Sequence, residues 1–332
     1  MKPRILVTHG IEAAALQRLA EVFHVDARDG KAGLPREAFI DGLREKQGAL
    51  LSPFDRIDVE ILDAHPQLRV LCNTSAGFNN LDIAACTARG VLCTNTPDVT
   101  TETTADFAIG LVLAVARRIV EADAWARQGR WDASTYQRFM GLDVHGKTLG
   151  VLGMGRIGRA IARRAALGFG MRVIYHSRSR LSEAQEAQLQ AAYVEKTELL
   201  QRADHLVVAL PYSPSTHHAV GAAELALLRP TATLTNIGRG GLVDDLALAK
   251  ALSGGRLAAA GLDVFEGEPR IEPLLLCLPN VVLTPHIASA TPGTRSAMVH
   301  LAVDNLIAAL GSGQDMGAPP TPINPEVLVA RR

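Results

Sequence analysis

GKTLGVLGMGRIGRAIARRAALGFGMRVIYHSRSR, residues 146–180, decides how this chain is read. An apolar run, Thr148–Leu152, leads into Gly153-x-Gly155-x-x-Gly158, and the helical stretch RIGRAIARRAALGF opens directly behind it. Strand, glycine turn and helix in that order make a cradle for a pyrophosphate. The first glycine permits the tight turn. The second has no Cβ, so a phosphate can approach the backbone. The third lets helix and strand pack closely, and the helix N-terminus offers unpaired N–H donors. Gly153, Gly155, Arg156, Ile157 and Gly158 are the candidate phosphate-binding residues. A strand–helix turn that merely needs glycine could share the motif, but here both flanks also have the required pattern.

The end of the next strand qualifies the reading. A chain that binds NAD usually ends this strand in Asp or Glu, which holds the ribose hydroxyls. Here Val173–Ile174–Tyr175 runs out into His176, Ser177, Arg178, Ser179 and Arg180, with no acid before Glu183. NADP carries an extra 2′-phosphate with close to two negative charges, which a carboxylate would repel. Hydroxyls and a guanidinium bind it through charge-assisted hydrogen bonds. Ser177, Arg178, Ser179 and Arg180 are therefore candidate contacts, and NADP(H) is the expected cofactor. The two arginines alternate along an extended loop, so one side faces the phosphate; Arg178 is favoured. If both were solvated loop charges, the usual NAD anchor would still be missing.

Outward from this stretch, short apolar runs recur with helical segments between them. ILVTH (5–9), GALLS (48–52), RVLCNTS (69–75) and VLCTNT (91–96) are strand-like, separated by IEAAALQRLAEVF (11–23) and PREAFIDGLREKQ (35–47). The alternation restarts with TLGVLG (148–153), RVIYHS (172–177), HLVVAL (205–210), ATLTNIG (232–238), AAAGLDVF (258–265) and NVVLTPH (280–286). Continuous apolar strands alternating with helices predict parallel sheets covered on both faces. The fold class is α/β, with two doubly wound parallel-sheet domains. One long helical segment, 101–129, is expected to join them, and a second, 291–310, to return the chain to the first domain. The expected division is 1–100 with 288–332, and 101–287. The Pro-rich tail from 317 is expected to be extended.

Totals narrow the class. The chain has 332 residues, enough for two domains. Lys+Arg and Asp+Glu are 34 each, so there is no positive field to attract nucleic acid or anionic membrane. The longest apolar run, FAIGLVLAVA (107–116), is too short to span a bilayer. The N-terminus has no signal-peptide pattern and the four cysteines form no CxxC, so a cytoplasmic protein with reduced thiols is expected. His217–His218 is a metal-like pair with no acid or Cys at ligand spacing, so no metal is expected and the pair reads as a loop beside the adenosine pocket.

Three stretches downstream carry chemistry at strand ends. NIGRGGLVD (236–244) holds Arg239, LDVFEGEP (262–269) holds Glu266 and Glu268, and LTPHIASAT (283–291) holds His286. The carboxyl edge of a parallel sheet is where ligands bind. Arg, Glu and His there can bind an anion, hold a proton donor and orient it.

With SAGFNNLD (75–82), TETTADFAIGLVL (101–113), GKTLGVLGMGRIG, NIGRGGLVD, AAGLDVFEGEP and TPHIASAT in this order, nearly the whole chain resembles the D-isomer-specific 2-hydroxyacid dehydrogenases. TETTADFA, ARRIVEA and AVDNLIAAL resemble most the branch of bacterial glyoxylate/hydroxypyruvate reductases of 2-ketogluconate reductase type. The resemblance implies a Rossmann cofactor domain inserted into a flavodoxin-like substrate domain, with the site in a cleft that closes on binding. It implies NADPH-preferring reduction of glyoxylate, hydroxypyruvate or 2-ketogluconate to the D-hydroxy acid. Arg239 then binds the substrate carboxylate and polarises the keto oxygen, His286 protonates that oxygen, and Glu268 orients His286 and favours its imidazolium.

By the same resemblance, the backbone of Ala76 and Gly77 holds the substrate carboxylate, where the family often has Val-Gly-Tyr and this chain has Ala-Gly-Phe78. Asp263 bonds the nicotinamide amide, and Thr104, Pro211, Thr216 and Ile237 line the cofactor. No role is implied for Glu266. Trp131 matches a loop that reaches across a homodimer in relatives, although Ser134 and Thr135 stand where some carry a second Trp. Two other readings share the fold: an NAD-dependent D-lactate or 3-phosphoglycerate type of dehydrogenase, which HSRSR opposes, and a dinucleotide-sensing binding protein, which the neutral charge and lack of basic tails oppose.

Overall fold

A computed structural model describes residues 2–29, 34–312 and 317–329. The chain divides into two compact units, one built from Met1–Thr100 and Thr291–Arg332, the other from Thr101–Ala290.

In the first unit β1 (Arg4–Val7), β2 (His24–Ala27), β3 (Gly48–Leu51), β4 (Val70–Asn73) and β5 (Leu92–Thr94) form a sheet in the order β2-β1-β3-β4-β5. Every neighbouring pair is parallel, which is the flavodoxin-like strand order. Side chains alternate across the sheet as the pleat requires. Ile5, Val7, Leu50, Val70 and Cys72 pack on one face with Ala302, Val303 and Leu306 of the helix Pro292–Leu310. Leu6, Ala49, Leu51 and Leu71 pack on the other with Phe39, Leu43 and Ile61. The helix Pro292–Leu310 starts where the sequence predicts, with the Thr291 hydroxyl accepting from the Thr294 N–H and Pro in its first turn.

The second unit holds β6 (Thr148–Leu152), β7 (Arg172–His176), β8 (Ala191–Tyr193), β9 (His205–Val208), β10 (Thr233–Asn236), β11 (Ala259–Leu262) and β12 (Val281–Leu283), in the order β12-β11-β10-β9-β6-β7-β8. This is the doubly wound dinucleotide-binding order with a seventh strand added. All pairs are parallel, and the direction of winding reverses between β6 and β9. Ligands of such sheets bind at that switch point, beyond the carboxyl ends of the strands. Leu149, Val151, Val173, Tyr175 and Val207 pack under the helices Thr101–Ala116 and Arg156–Phe169, while Leu152, Ile174, Leu206, Val208 and Leu234 fill the opposite face.

Two expectations need correction. The segment 101–129 is not one helix: Thr101–Ala116 ends, and Ile119–Arg127 begins after Arg118 in a left-handed conformation with φ 54°. The Ala116 carbonyl accepts from the Leu142 N–H at 2.7 Å instead of continuing the helical ladder. Arg118 locks the break through Glu121 and the Arg138 carbonyl. The tail is not simply extended either. The Ile323 N–H donates to the Cys93 carbonyl at 2.8 Å, Thr94 and Pro322 form an antiparallel bridge, and a short helix spans Glu326–Val329. Residues 330–332 lie outside the described part.

All four cysteines are free, and Cys72, Cys86 and Cys93 are buried. Burial pushes the Cys72 thiol up to about 12, so it is no nucleophile. Among the described residues no helix is long and apolar enough to cross a membrane.

Candidate active site

The glycine turn is built as its spacing demands. Gly153 has φ 105°, and a Cβ there would lie 2.7 Å from the Ala209 carbonyl oxygen of the neighbouring β9 loop. A Cβ on Gly158 would meet the Gly153 carbonyl at 2.1 Å, so only glycine allows helix and turn to touch. A Cβ on Gly155 would meet nothing within 4 Å, which leaves open space over the first turn of the helix Arg156–Phe169. Gly155 and Arg156 are exposed and Ile157 is half-buried. The residues present fit a dinucleotide pyrophosphate.

The two arginines beyond β7 have different surroundings. Arg180 donates to both oxygens of Glu186 at 2.9 Å and lies over the Tyr193 ring. Tyr175 Oη donates to the same carboxylate at 2.8 Å. Arg180, and then Tyr175, hold the Glu186 carboxyl down at about 2. Arg178 is exposed and makes no hydrogen bond or ion pair with the described residues. Ser177 is half-buried, and its hydroxyl donates to the Ser179 carbonyl at 2.7 Å. The loop is thus braced at Arg180 and offers Arg178.

His286 and Glu268 meet at the other edge of the same carboxyl end. His286 Nδ1 lies 2.8 Å from Glu268 Oε2, and both side chains are partly accessible. Glu268 Oε1 accepts the Phe265 N–H at 2.9 Å. Burial alone would raise the Glu268 pKa. The His286 hydrogen bond and charge, the Phe265 N–H and the Arg239 guanidinium together outweigh it and hold the carboxyl below its ordinary range. Arg239 lies in the loop after β10, half-buried, and donates to the Gly238 carbonyl at 2.7 Å. Burial lowers its pKa and the Glu268 charge partly offsets that; a guanidinium stays cationic regardless. The Arg239 loop can lie against the Glu268 loop because the next residue is glycine: a Cβ on Gly240 would sit 1.7 Å from the Phe265 carbonyl oxygen. Arg239, Glu268 and His286 are thereby brought together.

The backbone at His286 is left-handed, φ 54°, a costly conformation for a residue with a side chain. Asp263 holds it there. Its carbonyl accepts the His286 N–H at 2.8 Å. Its fully buried carboxylate accepts from Thr284 Oγ1 at 2.7 Å, the Ile287 N–H at 2.9 Å and the Ala288 N–H at 2.8 Å. A carboxylate has about four acceptor positions, and three of these are taken by its own chain. Asp263 is thus a clasp for the 284–288 turn, a role the resemblance does not include. Thr104 and Ile237 are buried; Thr216 Oγ1 donates to the Pro211 carbonyl at 2.9 Å.

In the first unit, the half-buried loop at Ala76 and Gly77 is tied by its carbonyls. Asn95 Nδ2 donates to the Ala76 carbonyl at 2.7 Å and Asn73 Nδ2 to the Gly77 carbonyl at 2.8 Å. Among the described residues neither Ala76 N–H nor Gly77 N–H has an acceptor, so both donors are available to an anion. Sequence reasoning passed over Asn73 and Asn95; their signal was a carboxamide at the end of an apolar strand.

It also passed over Asp245, in the first turn of the helix Asp245–Ser253. Its buried carboxylate accepts the Glu266 N–H at 2.9 Å and so anchors the loop that carries Glu268. Burial pushes its pKa up to about 6, with the charges of Glu266, Asp244 and Glu272 adding to it. In an unfolded chain an aspartate titrates near 4. The native state therefore favours protonated Asp245, and this contribution is lost as pH rises from about 4 through about 6. Asp245→Asn retains an acceptor oxygen without the charge. It is expected to stabilise the protein at pH 8 by about 1–3 kcal/mol, with the gain vanishing near pH 4. Thermal melts of both proteins across this range check the sign; a difference independent of pH would contradict it.

The histidine pair has no acid at ligand spacing along the chain. The fold brings an acid to it: His218 Nε2 lies 2.9 Å from Glu266 Oε2. The two residues are 48 positions apart, so no spacing rule could find the contact.

Known proteins resemble this chain over its full length. The family profile described as D-isomer specific 2-hydroxyacid dehydrogenase, NAD binding domain, matches residues 109–288. A glyoxylate reductase of Thermococcus gammatolerans is 44% identical over 336 residues, covering 100% of this chain and 99% of its own. The crystal structure of the NADPH-dependent glyoxylate/hydroxypyruvate reductase of Sinorhizobium meliloti, in complex with NADP and malonate, matches with a TM-score of 0.82 at 39% identity, over 97% of each chain. The holo D-mandelate dehydrogenase of Rhodotorula graminis matches with a TM-score of 0.84 at 28% identity, over 96% of this chain and 99% of that one. Fold, glycine cradle and likeness together define an NAD(P)-dependent oxidoreductase. The chain belongs to the D-isomer-specific 2-hydroxyacid dehydrogenase family.

Proposed function

We propose that this protein reduces small 2-keto acids to D-2-hydroxy acids with NADPH as the preferred donor. Glyoxylate and hydroxypyruvate are the foremost substrates, and 2-ketogluconate is a further one. The observation that carries the reading is the 2.8 Å His286–Glu268 pair beside Arg239 at the carboxyl edge of a dinucleotide-binding sheet. The nicotinamide, when bound, supplies a hydride to C2 of the keto acid. Arg239 binds the substrate carboxylate through its guanidinium fork and draws charge from the keto oxygen. Glu268 occupies Nδ1 of His286, which leaves Nε2 to give the proton to that oxygen and to take it back in the reverse direction. The Ala76 and Gly77 N–H groups are the first unit's proposed donors to a carboxylate. The unit Thr101–Ala290 serves the cofactor and the other unit the substrate. The protein acts in the cytoplasm as a homodimer, a reading supported by the large exposed apolar side chains Trp131, Tyr136 and Met140.

The preference for NADPH rests on Arg178, supported by the bound NADP of the Sinorhizobium relative. A charge-assisted hydrogen bond contributes about 1.5–3 kcal/mol, so Arg178→Ala is expected to raise KM for NADPH by about 10- to 100-fold. KM for NADH should change less than about twofold, because that cofactor has no phosphate at this position. Steady-state kinetics with both cofactors tests this; equal effects on the two would remove Arg178 from phosphate binding.

A further inference from the structure

The segments that follow β9 and β11 meet at a second cluster of titratable side chains. His217 and His218 lie just after the turn Pro214–Thr216, and Glu266 lies two residues before Glu268. His218 Nε2 is 2.9 Å from Glu266 Oε2, and His217 Nε2 is 3.9 Å from Glu266 Oε1. The two imidazoles stack with centroids 3.9 Å apart and planes inclined by 23°. One ligand atom from each of the three residues lies within 4.8 Å of the others. We propose that His217, His218 and Glu266 bind a divalent transition-metal ion of the zinc class, separate from the acid–base set.

The donor set selects the ion. Two imidazole nitrogens and one carboxylate oxygen suit Zn²⁺, Cu²⁺ or Ni²⁺; Mg²⁺ and Ca²⁺ call for oxygen throughout. Ring polarity agrees, although the stacked planes must open for both Nε2 lone pairs to meet one ion. Both histidines turn Nε2 towards Glu266 and Nδ1 towards a supporting group. Tyr212 Oη is 3.3 Å from His217 Nδ1, and Asp244 Oδ2 is 3.8 Å from His218 Nδ1. Metal-bound histidines typically give the second nitrogen's proton to such outer partners, which fixes the tautomer and the ring.

The spacing is close to what coordination needs. Tetrahedral zinc with bonds of about 2.0–2.1 Å places its ligand atoms roughly 3.3 Å apart. The two nitrogen–carboxylate separations of 2.9 and 3.9 Å bracket that value and the three ligand atoms lie within 4.8 Å of one another, so side-chain rotation that unstacks the rings would complete the site. The backbone at His218 is fixed. His218 is left-handed with φ 50°, and its N–H donates to the Gly241 carbonyl at 2.7 Å. The remaining coordination positions face solvent, since His217 and Glu266 are exposed. Affinity is therefore that of an open three-ligand site, with a dissociation constant on the order of micromolar. A bound ion would tie the two loops together two residues from Glu268.

The test is calorimetric titration of chelator-treated full-length protein with ZnCl₂, and with CoCl₂ followed by its visible absorption. One equivalent of Zn²⁺ with micromolar affinity is expected, and neither Mg²⁺ nor Ca²⁺ should compete. Glu266→Gln and His218→Ala should each weaken binding at least about tenfold, while His286→Ala should bind as the parent does. Glu266→Gln is nearly isosteric and exposed, so folding is not at stake in that variant. Absence of saturable binding in the micromolar range, unchanged binding in both cluster variants, or loss of binding in His286→Ala would each overturn the proposal.

Discussion

His286→Ala is expected to lower kcat for keto-acid reduction by about 10²- to 10⁴-fold, the span that general acid catalysis contributes. The cause is local. The keto oxygen gains a full negative charge as hydride arrives at C2, and among the described residues no other proton donor in this cluster is held by a carboxylate partner. Glu268 is an acceptor for the ring and for the Phe265 N–H, and its carboxyl lies below the ordinary range, so it stays ionised and has no proton to give at neutral pH. Cofactor binding should survive, because the glycine cradle and Arg178 lie on other loops. Enhanced fluorescence of bound NADPH, measured beside kcat, separates the two effects. A variant that keeps more than about a tenth of parental kcat would remove His286 from the acid role.

Arg239→Lys is expected to lower kcat/KM by about 10²-fold although the charge is retained. A lysine offers one compact ammonium, whereas a carboxylate fixed in orientation with a neighbouring keto oxygen needs the planar fork. The loss should appear in both KM and kcat, since the same group holds the carboxylate in the ground state and meets developing charge in the transition state. KM for the cofactor should be nearly unchanged. If the substitution altered only cofactor affinity, Arg239 would belong to the nucleotide site.

Much of this arrangement is legible in the chain because buried parallel strands are written as apolar runs. Thr148–Leu152, His205–Val208 and Thr233–Asn236 are buried throughout, and their sequences announce it. The strands that escape notice lie at sheet edges. HVDA of β2 is only partly buried, and AAY of β8 is three residues long, so neither has the composition of a covered strand. The break at Arg118 is equally silent, because it is set by the distant Leu142 N–H and the Arg138 carbonyl.

The candidate site divides along the same line. Arg239, Glu268 and His286 stand out because charged groups at the ends of apolar strands have no structural reason to be there. Their supports do not stand out. Asp245 contacts the Glu266 N–H across 21 positions, Asp263 clasps 284–288, and Asn95 holds Ala76 across 19 positions. Asp245 and Asn95 are ordinary polar residues in sequence, Asp263 is singled out there for a different role, and only the fold gives each its partner. The Glu266–His218 contact belongs to the same class, since nothing in the spacing of the histidine pair announces it.

The proposed reaction is transfer of a hydride from reduced nicotinamide to a 2-keto acid under the control of His286. The most direct measurement is a single-turnover reaction of the enzyme in excess over NADPH, with glyoxylate or hydroxypyruvate, run beside His286→Ala. The parent is expected to oxidise one NADPH per keto acid reduced and to yield D-glycerate from hydroxypyruvate, while the variant binds NADPH and leaves it reduced. Bound NADPH that the parent fails to oxidise with any 2-keto acid would contradict it and would favour a protein that senses the dinucleotide.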